Sequence, residues 1–398
     1  MWRTQVITFP SSTSIWLRIW PIAVEATNAQ REIRDDADLS VTARARDEHR
    51  EPMDLDTLNT PAGKLTGVFL AACPSLDRVT NPFADGTPMR QMRDALIAAK
   101  GRSDLIARHR LIEVLPYFLR ADRDWTEQAL IKPLLNDDGS ALALWRAIAR
   151  RTQFTAVLEI IGGAMTERAV DTRLGRETRG RLVFSLVVEA LHALRGGRAP
   201  AVPYGRIQQM LRTLDDEVRA TAANAVQQFV KELSSKPIEG EGLSSAAALF
   251  RSAAAPFFQE IWPQERSLTT PGVSKALADL PATSGQAFAE AVSVIERFLV
   301  PFECWSMQDY GLYGEEGGRK KLTLIDDETK ARALLRLLDL TVGNSDGDVV
   351  PHDLTDALDQ VRSVAPQLAD DPSYRRLSTA ARRKAGMIFA DLIQEGGN

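Results

Sequence analysis

The chain has 398 residues, of which 44% are hydrophobic and 26% are charged, and these fractions are typical of a soluble globular protein. Its formal net charge of −4 favours binding neither to nucleic acid nor to an anionic membrane through bulk electrostatics. Its two cysteines exclude a disulfide framework and favour a cytoplasmic location, and no apolar run approaches the roughly 20 residues of a membrane-spanning helix.

Residues 1–29 contain an apolar segment that predicts an N-terminal amphipathic helix. The residues expected to form its apolar stripe are Ile15, Trp16, Ile19, Trp20 and Val24. A signal peptide would look similar, but Arg18 and Pro21 interrupt the apolar run, so a packed helix is the favoured interpretation.

Residues 30–58 differ in character from the rest of the chain. They carry many charges of both signs and almost no bulky apolar side chains, so they cannot bury much surface. This composition predicts a charged linker or mobile loop.

From residue 59 onward, short amphipathic helices alternate with turns that contain Pro, Gly or Asp. Thr60 before Pro61 and Thr270 before Pro271 predict helix starts, because proline at the first helical position lacks an N–H that would need a partner. Asp104 is the expected cap of another helix. The pattern predicts an all-α fold, an irregular helical-repeat array with a first half at 59–240 and a second half at 241–398.

Residues 243–305 predict three consecutive helices around which the second half is organised. Large apolar residues recur there at helical spacing, and we expect Trp262, Phe288 and Ile295 to share one buried cluster. Phe229, on an earlier helix, is expected to be structural as well.

Residues 204–234 predict a pair of packed helices, and the second resembles the second helix of a HEAT repeat. In that family an Asp starts this helix, a Val-Arg pair follows, and small alanines let the first helix approach closely. Asp215 or Asp216, Val218, Arg219, Ala222 and Ala225 stand at these positions. The resemblance covers about 16 residues, and it implies a HEAT-like solenoid.

No catalytic or metal-binding pattern stands out. The four histidines lie far apart, and neither Cys73 nor Cys304 has a neighbouring histidine, so inert buried thiols are favoured. The glycine-rich residues 311–318 follow no strand, and the acidic residues 344–348 lack the glycine and glutamate of a calcium loop. We therefore predict no enzyme activity, no cofactor and no metal.

Two basic clusters could neutralise phosphates and thus contact nucleic acid. The alternative is a pair of solvated helix faces, because aromatic residues that could stack on bases are sparse there. The members of the clusters are Arg173, Arg176, Arg179, Arg181, Arg375, Arg376, Arg382, Arg383 and Lys384.

Four strings resemble the C-terminal helical region of large bacterial anti-phage defence proteins. These are IWPIAVEATN at 19–28, DLDTLNTPAGKLTGVFL at 54–70, the stretch at 257–292 and ADDPSYRRL at 369–377. In that family a sirtuin-like or other effector domain precedes the helical array, and no such domain is found in this sequence. The resemblance implies the C-terminal portion of a larger protein, a split gene product or a separately encoded helical partner.

Taken together, these patterns predict a non-catalytic recognition or scaffold module that binds another protein, either an effector subunit or a phage component. The alternative is a nucleic-acid-binding helical domain that uses the two Arg clusters. An enzyme ranks third, because no acid, base, nucleophile or metal set can be assembled.

Overall fold

The computed structural model describes residues 11–30, 55–235, 244–313, 319–343 and 349–395. Helices account for most of these residues, and no β-strand is found among them, so the predicted all-α class is confirmed. The chain divides into two compact units, Met1–Ser185 and Leu186–Asn398, and the boundary expected at residue 240 falls inside the second unit. The HEAT-like solenoid stays a prediction.

Nine α-helices precede the unit boundary within the described residues. They are α1 (Ser11–Ala29), α2 (Pro61–Ala72), α3 (Pro88–Ile97), α4 (Arg102–Ile112), α5 (Leu115–Ala121), α6 (Arg123–Thr126), α7 (Lys132–Leu134), α8 (Gly139–Ala149) and α9 (Thr155–Ala169). A π-helical turn, Glu127–Ile131, joins α6 to α7. The boundary itself falls within α10 (Arg176–Arg195).

The second unit continues with α-helices and shorter helical turns. The α-helices are α11 (Tyr204–Thr213), α12 (Asp216–Ser235), α13 (Ala246–Leu249), α14 (Pro271–Leu277), α15 (Leu280–Thr283), α16 (Phe288–Ile295), α17 (Glu328–Thr341), α18 (Leu354–Val364) and α19 (Pro372–Glu395). The π-helical turns are Phe250–Ala254 and Phe257–Ile261, and the 3-10 helices include Glu296–Phe298, Met307–Tyr310 and Arg319–Leu324.

Two of the three expected helix starts are confirmed. The hydroxyls of Thr60 and Thr270 accept the first free backbone N–H groups of α2 and α14, and each is followed by a proline. The expected cap at Asp104 is wrong, because α4 begins one residue after Gly101, whose positive φ of 69° turns the chain. Asp104 lies in the first turn and pairs with Arg108 at 2.7 Å.

Two tryptophans hold α1 against α2, α3 and α4. Trp16 and Trp20 are 4% exposed, and their rings stack with centroids 5.1 Å apart. The Trp16 indole N–H donates to the Leu65 carbonyl at 3.0 Å, and that of Trp20 donates to the Ala95 carbonyl at 2.9 Å. Each indole therefore buries a large surface and satisfies its one donor.

The remainder of the predicted stripe on α1 is only partly buried. Ile15 and Ile19 are 55% and 44% exposed, and Val24 is half-buried, so placing the two isoleucines on the packed face was wrong. Each isoleucine precedes a buried tryptophan by one residue, which turns it about 100° around the helix, toward solvent.

Of the linker predicted at 30–58, residues 31–54 lie outside the described residues. Where the description resumes, Leu55 and Thr57 are buried. The α2 backbone lies directly on this segment, since a Cβ on Gly63 would stand 1.8 Å from the Thr57 carbonyl oxygen.

In the second unit, the four residues expected to be structural are all buried. Trp262 is 2% exposed, Phe229 is 5% exposed, and Phe288 and Ile295 are fully buried. The Trp262 ring lies 5.5 Å from that of Phe258. Helix α12 packs against α14, and α16 packs against α17, which also contacts α18 and α19.

The predicted helix pair at 204–234 is present as α11 and α12. The Asp215 carboxylate accepts the Val218 N–H at 3.1 Å and so caps α12. Arg219 is 3% exposed, and its guanidinium donates to the carbonyl oxygens of Leu211, at 2.9 Å, and of Leu214. One side chain of α12 thus satisfies carbonyls that the end of α11 leaves open.

Candidate protein-binding surface around Trp305

Residues 301–305, which follow the helical turn Glu296–Phe298, are neither helix nor strand. Their side chains alternate, because Phe302 is 7% exposed and Cys304 is fully buried, whereas Glu303 and Trp305 are exposed. Alternation with a period of two is the pattern of an extended chain lying on a packed surface. Glu303 and Trp305 therefore point away from the core.

Hydrogen bonds fix this segment at both ends. The Phe302 N–H donates to the Thr341 carbonyl at 3.1 Å. At the other end, the buried Asp353 carboxylate accepts the Ser306 hydroxyl at 2.7 Å and the Met307 N–H at 2.8 Å. The backbone between these points has little freedom to move.

The backbone of Trp305 itself is held by residue His352, which lies 47 positions later in the chain. The Trp305 carbonyl accepts the His352 N–H at 3.0 Å, and Nδ1 of the same residue lies 2.6 Å from that oxygen. When the proton is on Nδ1, the ring donates a second bond to the carbonyl.

Trp305 is 62% exposed, more than any other tryptophan that the structure describes. Tryptophan is one of the most buried residue types on average, and on protein surfaces it is enriched at interfaces. A large aromatic side chain on a fixed backbone loses little freedom when a partner covers it.

A groove of about 570 Å³ lies beside this side chain, and we name it the Trp305 surface. It is lined in part by Pro271, Lys275, Pro301, Phe302, Glu303 and Trp305. Its prolines and aromatic rings provide apolar contact area, and its charged lining residues are Lys275 and Glu303. Lys275 lies 3.5 Å from Asp309, so its charge already has a partner.

A smaller polar pocket, of about 360 Å³, begins at the next residue, Ser306, and includes His352 and Asp353. These residue types resemble a nucleophile, a base and an acid, but they are not arranged as a catalytic triad. The Ser306 hydroxyl donates to Asp353 and not to the imidazole, and His352 Nε2 is 3.9 Å from that carboxylate. The Asp353 carboxylate instead holds the backbone beside Trp305.

Carboxylates neutralise two of the four arginines in the first Arg cluster. Arg173 donates to Asp171 at 2.9 Å and also contacts Asp137, while Arg181 pairs with Glu177. Of the remaining members, Arg176 is half-buried and Arg179 is 5% exposed. The Arg179 guanidinium donates to the Leu174 carbonyl. This cluster therefore offers less positive charge than its sequence suggests.

Burial would raise the pKa of Asp171, but the hydrogen bonds from Arg173 and Arg168 outweigh it and hold the pKa below its usual value. The same two guanidiniums lower the pKa of Asp137. Both carboxylates remain ionised and keep the arginines engaged.

The second Arg cluster is partly neutralised. Arg375 pairs with Asp370 at 2.8 Å, and Arg376 donates to both the carboxylate and the backbone carbonyl of Asp339 at 2.9 Å. Arg382 and Arg383 are exposed, and the side chain of Lys384 lies outside the described residues.

Cys304 is buried as expected, whereas Cys73 is only half-buried, so the expectation of a buried thiol is wrong for Cys73. Burial raises the pKa of Cys73 and of Cys304 to about 12, so neither forms a thiolate near neutral pH. Residues 314–318 of the glycine-rich stretch 311–318, and the acidic residues 344–348, lie outside the described residues.

Within the described parts of the chain, no group of three or more His, Cys, Asp or Glu side chains is placed to hold a metal ion. None of the helices described there has the length and apolar character needed to cross a membrane.

Comparison of the chain with protein-family models, with curated proteins and with solved structures finds no match. The resemblance to anti-phage defence proteins therefore stays a prediction. The Trp305 surface was missed at the sequence level, although the alternation of apolar and exposed residues from Phe302 to Trp305 is a signal that could have indicated it.

Proposed function

We propose that this chain is a non-catalytic helical recognition module that binds another protein through the Trp305 surface. The observation that carries the proposal is the exposed indole of Trp305 on a backbone fixed by His352 and Asp353. Tryptophans of this kind anchor interfaces, where their removal commonly weakens binding by about 2 kcal/mol or more.

The biological setting that we propose is bacterial anti-phage defence in the cytoplasm, with an effector subunit or a phage component as the partner. The four strings that resemble such proteins support this setting, and the HEAT-like pair α11–α12, closed by Arg219, is in keeping with a helical array. In cells that carry the native locus, Trp305→Ala should then reduce protection against phage, measured as plating efficiency, at unchanged protein level.

The binding proposal is tested by site-specific cross-linking followed by purification. Benzoylphenylalanine placed at position 305 should yield one discrete protein adduct, whereas the same probe at Phe154 should not. Phe154 is a matched control, because it is 61% exposed and lies in the other unit. The cross-linked protein is then purified and its affinity measured for the parent chain and for Trp305→Ala and Phe154→Ala.

Salt dependence separates this proposal from the nucleic-acid alternative. Binding through phosphates weakens steeply between 50 and 200 mM salt, by about a thousandfold or more when six phosphates are contacted. An interface with an apolar centre changes far less. Tight, salt-sensitive binding of a DNA or RNA duplex, lost in Arg382→Ala/Arg383→Ala, would overturn the proposal in favour of nucleic acid.

A further inference from the structure

Glu303 and Trp305 present a carboxylate and an indole side by side. They are two positions apart in a segment whose burial alternates with a period of two, so their side chains leave the same face. Both side chains are exposed, and both line the same groove. This spacing lets a single planar cation touch both groups.

The charges around the groove favour a cationic ligand. Glu303 has no ion-pair partner among the residues that the structure describes, whereas the charge of Lys275 is engaged by Asp309 at 3.5 Å. Of the two charged residues that line the groove, only Glu303 is therefore left uncompensated, and its charge is negative. Pro271, Pro301 and Phe302 line the same groove and offer apolar surface to an aliphatic stem.

The first unit of this chain already contains an arginine bound in this way. The Arg93 guanidinium lies 4.4 Å from the Trp125 ring centroid and 4.8 Å from that of Phe83. Its Nη1 donates to the Asp122 carboxylate at 2.6 Å, and the side chain is almost fully buried. Stacking on an indole and pairing with a carboxylate are thus satisfied together by one guanidinium.

We propose that the Trp305 surface recognises an arginine side chain of its protein partner, with the guanidinium stacked on Trp305 and paired with Glu303. The inference rests on the proposed function and adds the chemistry of the partner to it. Arginine fits better than lysine, because its planar fork can stack on a ring while donating two bonds to a carboxylate. An acidic peptide would meet the unpaired Glu303 and be repelled.

The test measures binding of short peptides to the full chain. The probe is the acetylated and amidated peptide Gly-Pro-Arg-Pro-Gly, with counterparts that carry citrulline or lysine in place of arginine. Citrulline keeps the planar shape and removes the charge. The readout is the indole N–H resonance of Trp305 in tryptophan-labelled protein, assigned by its loss in Trp305→Phe.

The arginine peptide should shift the Trp305 resonance at millimolar concentration. The citrulline peptide should bind at least about tenfold more weakly. Glu303→Gln should weaken the arginine peptide about tenfold, whereas Glu260→Gln, an exposed glutamate that does not line the groove, should leave it unchanged. Equal binding of the arginine and citrulline peptides, or no effect of Glu303→Gln, would overturn the inference. So would the absence of any shift.

The two proposals fail separately. If no arginine peptide binds but Trp305→Ala still weakens the purified partner, the arginine inference is wrong and the recognition function stands. If the peptides behave as expected but Trp305→Ala leaves the partner's affinity unchanged, the recognition function is wrong instead.

Discussion

Trp262→Ala and Trp305→Ala remove the same side chain from opposite environments. Trp262 is 2% exposed, and its ring lies 5.5 Å from Phe258 and 6.2 Å from Phe298. A buried tryptophan removes about 150–250 Å² from water, and at about 25 cal/mol per Å² most of this stabilisation is lost on truncation. We expect Trp262→Ala to cost about 3–5 kcal/mol, the range for large aromatic truncations in a core.

Thermal unfolding measures the difference in stability between the two variants. Far-ultraviolet circular dichroism is the suitable signal, because it reports helix content and is not changed by the loss of a fluorescent tryptophan. For a unit of about 200 residues, each kcal/mol lowers Tm by about 2–4 °C, so Trp262→Ala should melt roughly 10 °C below the parent. Trp305→Ala, 62% exposed, should melt within about 2 °C of it. If Trp262→Ala melted with the parent, or if Trp305→Ala were the less stable variant, the assignment of core and surface would be wrong.

Four further perturbations have expected outcomes. Trp20→Phe removes one indole hydrogen bond and should cost about 1–2 kcal/mol in urea unfolding; no loss would mean that the bond adds nothing. Arg219→Ala leaves helix-end carbonyls without their charged donor and should cost about 2–3 kcal/mol in the same assay, whereas a neutral result would remove its closing role. Cys304, with its pKa raised to about 12 by burial, should resist iodoacetamide at pH 8 until the chain is unfolded, and rapid native alkylation would contradict this. Because the pKa of Asp171 is lowered in the folded chain, its ionised form stabilises the fold at pH values above the usual pKa of 3.8. This stabilisation is lost as the pH falls through the folded pKa. Asp171→Asn should therefore destabilise the chain at pH 7 and progressively less in acid. A penalty that did not change with pH would contradict the last of these.

The helical class and several helix ends could be predicted because local chemistry sets them. Thr60 and Thr270 cap helices through their own hydroxyls, and Asp215 caps α12 in the same way. Asp104 failed as a cap because the backbone turn at Gly101, with its positive φ, starts the helix earlier. Local rules name the candidate residues, and the backbone geometry selects among them.

The packed face of α1 could not be predicted from its pattern alone. Isoleucines and tryptophans occur around much of its circumference, so the hydrophobic period does not decide which ones are buried. Carbonyl acceptors on α2 and α3 decide it, because an indole N–H that is buried needs a partner. Those acceptors are 49 and 75 residues away from Trp16 and Trp20.

The candidate site depends on contacts that are still more distant from the sequence pattern. His352 and Asp353 fix the backbone around Trp305 from positions 46–47 residues later in the chain. In the same way, Asp137 neutralises Arg173 from 36 positions earlier. Sequence reading weighs charges and aromatic residues by their neighbours along the chain, so it indicated neither these distant ion pairs nor the Trp305 surface.

The most direct test of the account is the affinity of the purified, cross-linked partner for Trp305→Ala relative to the parent chain, measured by calorimetric titration at physiological salt. We predict that Trp305→Ala melts with the parent but binds the partner at least about 30-fold more weakly. A loss of about 2 kcal/mol or more of binding free energy corresponds to this factor. An affinity within about twofold of the parent, within ordinary surface-substitution effects, would contradict the claim that Trp305 anchors a protein-binding surface.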